Sequence, residues 1–151
     1  MGTLEITLAR LTGKRVYIDA NIFIYFLDRH PVYFDAVAAF FKACATREIF
    51  GVTGEAAVAE VMVFPYRQDE PALVSRFKRF FTQKNFLWIA SHDHAVFEAT
   101  AMLVARKRLK FIDALHMATA IQTDCPFFIT NDSALTTTEG LEVIQLKDLL
   151  K

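Results

Sequence analysis

Two rhythms of apolar and polar positions alternate along the chain. Short β-type runs occur at Val16–Ile18, Ile49–Thr53, Phe86–Ala90, Phe127–Thr130 and Glu142–Leu146. Between them, apolar residues recur at helical spacing. His30-Pro31 opens one such stretch, in which Val37, Phe40, Phe41 and Cys44 fall on one face. Asp69-Glu70-Pro71 opens another, with Leu73, Phe77, Phe80 and Phe81 facing inward and Arg76, Lys78 and Arg79 largely outward. A third begins near Ser91–Asp93, carries Val96, Phe97, Thr100, Leu103 and Val104, and closes on Arg106-Lys107-Arg108. The stretch "EVMVFPYR" predicts a helix ending at Pro65. Strands alternating with helices predict an α/β fold whose mostly parallel sheet is covered by helices on both faces. No internal repeat, low-complexity tract or linker divides the chain, so residues 1–151 are expected to form one domain.

Composition narrows the class. The chain has 151 residues, 54% of them hydrophobic, with 15 Phe, which is enough apolar surface for a core and too much for a disordered chain. No apolar run reaches the ~18 residues that span a bilayer. The start, MGTLEITLARL, has neither the basic region nor the long apolar stretch of a secretory signal. Ile6 stands where a myristoylation motif requires Ser or Thr. Cys44 and Cys125 are isolated and read as plain buried thiols. A cytoplasmic location is the expectation. The 17 basic and 17 acidic side chains cancel, which argues against coating nucleic acid through bulk charge and leaves room for a local basic rim.

The polar residues that stand out are acids in apolar company. In open α/β sheets the site forms beyond the carboxyl ends of the strands. Asp19 follows the first strand in "VYIDANIFIY", and Asp132 follows "FFIT". Glu60 lies in the helix-like "TGEAAVAEVMVF" and Asp113 in "KFIDALHMATA". Each of these two has a second reading: Asp113 as a helix cap, Glu60 as an edge position on a partly exposed helix. Glu55, five residues before Glu60, points about 140° away on a helix and reads as a first-turn acid complementing the dipole.

Four carboxylates in one cleft repel one another, and some would remain protonated without a counter-charge. Divalent cations resolve the conflict, because hard carboxylate oxygens suit Mg²⁺ or Mn²⁺. Two such ions would neutralise the four charges, bridge a scissile phosphate, activate a water and stabilise the departing 3′ oxygen. Setting these acids aside leaves 17 basic side chains against 13 acidic ones, a balance suited to guiding a polyanion.

"YIDANIFIYFLD", "AEVMVFPYR", "FIDALHMATAI" and "FITNDSAL", in this order, resemble the four acidic motifs of PIN-domain ribonucleases, in particular the VapC-type toxins of toxin–antitoxin modules. The resemblance runs from about Arg15 to Leu146. It matches Asp19, Glu60, Asp113 and Asp132 to the family's catalytic, metal-holding acids. Asn21 matches the polar residue after the first acid, and Thr130 and Asn131 match small polar positions that help place acids or water. It implies a three-layer α/β/α sandwich with a five-stranded parallel sheet. It also implies Mg²⁺- or Mn²⁺-dependent cleavage of single-stranded RNA, a homodimer, and a cognate antitoxin over the active-site groove. Two features depart from the pattern. Phe111-Ile112 stand where relatives often carry a small residue and Pro, and residues 1–14 precede the usual start and could add a helix or a strand.

His92 and His94 lack the further ligands a zinc site needs. His30 is expected at a helix start. His116, one turn after Asp113, is either a satisfied packing histidine or a neighbour of the site. Arg106, Lys107, Arg108 and Lys110 form either a solvated helix end or a phosphate-contacting rim, and Arg76, Lys78 and Arg79 make a second, weaker candidate for RNA contact. A non-catalytic RNA- or protein-binding domain of the same shape is the alternative to a nuclease. A phosphatase with Asp19 as nucleophile would want an Asp two residues on, where Asn21 stands.

Overall fold

The computed structural model describes residues 1–138 and 140–151. Its elements, in chain order, are α1 (Thr3–Leu11), β1 (Arg15–Ile18), α2 (Ala20–Leu27), α3 (Phe34–Ala45), β2 (Phe50–Gly54), α4 (Glu55–Gln68), α5 (Pro71–Phe81), β3 (Leu87–Ala90), α6 (His94–Lys107), α7 (Phe111–Gln122), β4 (Phe127–Thr130) and β5 (Glu142–Gln145). A 3-10 turn, Leu146–Leu150, follows β5. The strands form a five-stranded parallel sheet in the order β3-β2-β1-β4-β5. Every strand lies within a residue or so of its expected position.

Alternation along β1 decides the layers. Val16 and Ile18 enter the larger core with helices α2 to α5, whereas Tyr17 turns to the opposite face with Val52, Phe128 and Met117 of α7. The result is a three-layer α/β/α sandwich. The larger core is rich in aromatic rings: Phe23, Phe41 and Phe80 meet edge-on or stacked at centroid distances of 5.4–5.9 Å. Residues 1–14 supply a helix. Arg10 of α1 pairs with Glu142 of β5 at 2.6 Å, and Thr3 donates to the Lys151 carbonyl at 2.7 Å, fastening α1 along the β5 edge.

Two local expectations are corrected. Pro65 does not end its helix; α4 continues to Gln68 with Pro65 buried inside it. A proline removes the bond to the carbonyl four residues back and crowds that carbonyl, which kinks a helix without having to end it. Here the last turn still closes on Asp69, which caps in the left-handed region at φ 53°. The helix after His30-Pro31 starts at Phe34, because His30 Nδ1 accepts from the Val32 and Tyr33 amides and holds a turn ahead of it.

The chain leaves β1 for β2 and β3 on one side, then returns to lay β4 and β5 on the other. The switch point, where such sheets bind ligands, is therefore the crevice between the carboxyl ends of β1 and β4. No described helix is long and apolar enough to cross a membrane.

Candidate active site

Asp19 and Asp132 flank that crevice. Asp19 is the N-cap of α2; its amide still follows the sheet ladder, donating to the Ile129 carbonyl at 3.1 Å. Its buried carboxylate accepts from the Ala20 amide at 2.9 Å and from the Thr130 hydroxyl at 2.7 Å. A hydroxyl has one proton and two lone pairs. Thr130 uses the proton and one lone pair, since its oxygen also accepts from the Asp132 amide at 3.0 Å; Asn21 Nδ2 lies 3.5 Å away. Thr130 thus ties both strand-end acids to one fully buried point. Burial nonetheless holds the Asp19 carboxyl above the usual range, against the opposing pull of the Thr130 hydroxyl.

Asp113 comes from the other side. It sits in the first turn of α7, whose N-cap is Lys110, so the cap reading is not realised. Its carboxyl is raised first by partial burial and then by the charges of Asp132 and Asp19, with His116 and Lys110 opposing. The three aspartates therefore share one electrostatic neighbourhood. Asp132 accepts from the Ala134 amide at 3.0 Å, and Gln145 donates to the Asp132 and Leu135 carbonyls at 2.9 and 3.0 Å, bracing the loop from β5. Asn131 turns away from the acids. It donates to the Tyr25 hydroxyl at 3.2 Å and accepts from the Lys147 amide at 3.0 Å, so it joins the β4 loop to α2 and to the 3-10 turn.

Glu60, on α4, is held by His116. The carboxylate Oε1 lies 2.6 Å from His116 Nε2, and His116 Nδ1 lies 2.8 Å from the Tyr17 hydroxyl. A carboxylate only accepts, so Nε2 donates; the Tyr17 proton bonds Nδ1 when the ring is neutral. Burial and the neighbouring Asp19 push the Tyr17 phenol far up, which keeps that proton in place. His116, itself buried, is thus both a satisfied core histidine and a direct neighbour of a candidate acid. Tyr17 was not singled out in the sequence, where it is one more inward residue of an apolar strand. His92, by contrast, caps α4: Nε2 accepts from the Ala56 amide at 3.0 Å and Nδ1 meets Thr119 Oγ1 at 2.9 Å. The imidazole comes so close that a Cβ on Gly54 would lie 2.5 Å from it, which is why β2 ends in glycine.

The basic run divides. Lys110 acts on Asp113, Arg108 closes α6 in the left-handed region at φ 55°, and Arg106 and Lys107 border a groove between α6 and α7. Phe111 begins α7 fully in register and 57% exposed, so the missing Pro leaves the helix start intact.

The donor set available to a cation is hard oxygen throughout, as Mg²⁺ and Mn²⁺ sites require. Among the described residues no three Asp, Glu, His or Cys side chains close into a ready-made cage. Mg²⁺ needs none, since one or two carboxylates hold it while it keeps its waters. Asn21 Oδ1, buried beside Thr130 without a partner, adds another hard oxygen to the crevice. The residues fit such an ion.

Solved structures share this architecture. VapBC2 from Rickettsia felis, bound to a DNA fragment from its promoter, superposes with a TM-score of 0.69 at 16% identity, covering 87% of this chain and 98% of that one. A toxin–antitoxin complex from Klebsiella pneumoniae gives 0.68 at 19% identity, covering 87% and 97%. VapC20 from Mycobacterium tuberculosis, a sarcin-ricin loop cleaving toxin, gives 0.61 at 9% identity, covering 75% and 86%. Comparison with curated protein sequences finds no match. The PIN domain model, however, matches residues 16–141, from β1 through the loop that carries Asp132, and on that span the chain belongs to the PIN-domain family.

Proposed function

We propose that this protein is a Mg²⁺- or Mn²⁺-dependent endoribonuclease acting on single-stranded RNA, the toxin of a toxin–antitoxin pair. In this reading residues 1–151 are one nuclease domain with α1 as its N-terminal extension. It works in the cytoplasm as a homodimer and is silenced by a cognate antitoxin. One observation carries the enzymatic part: Asp113, at the switch point of the sheet, is hindered from ionising first by partial burial and then by the charges of Asp132 and Asp19. A carboxylate held beside two others at a ligand-binding edge is arranged for a cation rather than for stability.

Asp19, Asp113 and Asp132 would hold the ion, with Glu60 completing the acidic wall. When bound, a divalent ion supplies Lewis acidity towards the phosphate and eases deprotonation of water. The chain's own residues do the placing. Thr130 and the Ala20 amide each take one lone pair of Asp19, so its orientation is set while further lone pairs stay open. Asp132 gives one oxygen to the Ala134 amide and leaves the other without a protein donor among the described residues. His116 fixes one Glu60 oxygen. The protein partner draws support from the similar folds solved as toxin–antitoxin complexes.

The absence of a closed three-ligand cluster among the described residues favours one competing reading, a non-catalytic RNA- or protein-binding domain. Incubation of a labelled single-stranded RNA panel with Mg²⁺, Mn²⁺ or EDTA separates the two. Cleavage with either ion, none in EDTA and none by Asp113→Asn is the expected outcome. Undiminished cleavage in EDTA would overturn the mechanism.

A further inference from the structure

Arg76 and Arg79 of α5 border a cavity of about 480 Å³ formed with the end of α2 and the start of α3. The same cavity is lined by Arg29, Asp28, Phe26 and Phe34. Three guanidinium groups therefore face one carboxylate. None of the three arginines has an acidic partner within ion-pair distance among the described residues. Arg76 donates to the Leu27 carbonyl at 3.2 Å and is held in place by it, whereas the Arg79 guanidinium makes no hydrogen bond among the described residues. Phe26 and Phe34 stack at 5.4 Å and are half-buried, and the Arg29 guanidinium lies 5.1 Å from the Phe34 ring centre. Lys78, the third cation of this run, turns elsewhere, with its ammonium 5.7 Å from the Tyr66 ring centre.

We propose that this cavity is a second contact site for the RNA strand, seating a nucleotide that flanks the one cut; the inference rests on the nuclease reading above. Guanidinium forks match phosphate oxygens in pairs, and the Phe26–Phe34 stack holds Arg29 at the cavity. Asp28 can accept from an exocyclic amino group, as carboxylates do from cytosine. A volume of a few hundred Å³ is the scale of small-ligand pockets. An acidic peptide would satisfy the arginines but would set its own carboxylates against Asp28.

The cavity and the acids belong to one surface. Helix α2 has Asp19 at its start and Asp28 at its end. Eight residues of helix separate them, about 12 Å, a span of a few nucleotides. Between them on α2 lies Tyr25, whose hydroxyl accepts from Asn131 beside Asp132, and the half-buried rings of His30 and Tyr33, just past the helix, each sit 4.9 Å from Tyr25. Helix α2 thus connects the acidic crevice at its start with the arginines at its end. The acids repel a polyanion, so affinity for the strand has to come from cations outside the crevice.

The test uses the full-length protein. Binding of a short fluorescein-labelled single-stranded RNA is followed by anisotropy in EDTA, and cleavage is measured separately with Mg²⁺. Arg79→Ala is expected to raise Kd and KM about tenfold at unchanged kcat, and to reduce the slope of log K against log salt by about one. Arg79→Glu goes further in the same direction. Lys78→Ala, with the same charge removed one residue away, stays within about twofold of wild type. Arg79 holds no other element, so both variants should melt as the wild type does. Wild-type binding and cleavage by Arg79→Glu, with an active parent, would overturn the cavity assignment and leave the nuclease intact. RNA binding that depends on Arg79 in a protein that cuts nothing would overturn the nuclease and keep the cavity. Unchanged RNA binding with lost binding of a polyglutamate probe would reassign the cavity to an acidic protein, and absence of RNA binding by the wild type would sink both.

Discussion

Replacing Thr130 by Val keeps the shape of a fully buried side chain and removes one oxygen that makes three contacts. The bond to Asp19, at 2.7 Å, joins a hydroxyl to a carboxylate. Hydrogen bonds to charged groups contribute about 1.5–3 kcal/mol. The Asp132 amide loses its acceptor in a half-buried place, for about 1 kcal/mol more. The 3.5 Å contact with Asn21 is too long to count. Burying a methyl in place of the hydroxyl returns about 0.8 kcal/mol. The net expectation is a loss of about 2–3 kcal/mol, or a melting temperature lower by about 5–10 °C for a chain of this length. Urea and thermal unfolding in EDTA measure it. Repeating the substitution in an Asp19→Asn background tests its cause. A charge-assisted bond is roughly twice as strong as a neutral one, so Thr130→Val should cost about half as much there. Equal costs in the two backgrounds would show that the Asp19 charge is not what Thr130 holds, and an unchanged wild-type melting point would refute its place at the centre of the site.

Other consequences can be checked alongside. Asp113 has its folded pKa raised above its ordinary 3.8, so its contribution is intact below that pH and is lost as pH rises through the folded value; Asp113→Asn should therefore melt higher than wild type at pH 7 in EDTA, and Mg²⁺ should stabilise the wild type more than the variant. His92 has the opposite sign: burial, His116 and the cap on Ala56 favour its neutral ring, so its contribution is present above about 6.5 and falls on acidification. Melting curves of wild type and His92→Ala should accordingly converge as pH drops from 7 towards 5; a constant gap would deny the cap its role. Tyr17→Phe removes the hydroxyl bonded to His116 Nδ1, and should destabilise by about 1–2 kcal/mol while weakening Mn²⁺ binding measured by calorimetry. Burial pushes the Cys44 thiol up to about 12 and Cys125 to about 11, so neither should react with a disulfide reagent at pH 8 until the protein is unfolded.

The sequence by itself determined the architecture and the acids worth examining. Period-two and period-3.6 apolar patterns are local properties, so β1 to β5 and most of the helices were legible, and Pro71 and Asp93 marked helix starts without reference to anything distant; α2, apolar on nearly every position, carries no period and was not. Acids just past the ends of strands followed from the same reading, because strand direction in a parallel sheet sends every carboxyl end to one edge. Pro65 escaped that logic: whether a helix survives its proline depends on what buries the ring and closes the last turn, not on the proline itself. Only the tertiary structure decided that His116 lies between Tyr17 and Glu60, residues 99 and 56 positions away in the chain. The same holds for Thr130 reaching Asp19 across 111 positions, and for Arg79 opening into a cavity while Lys78 turns to Tyr66. Local pattern specifies which face of an element is apolar, but which polar atoms meet across the interior depends on how the faces pack.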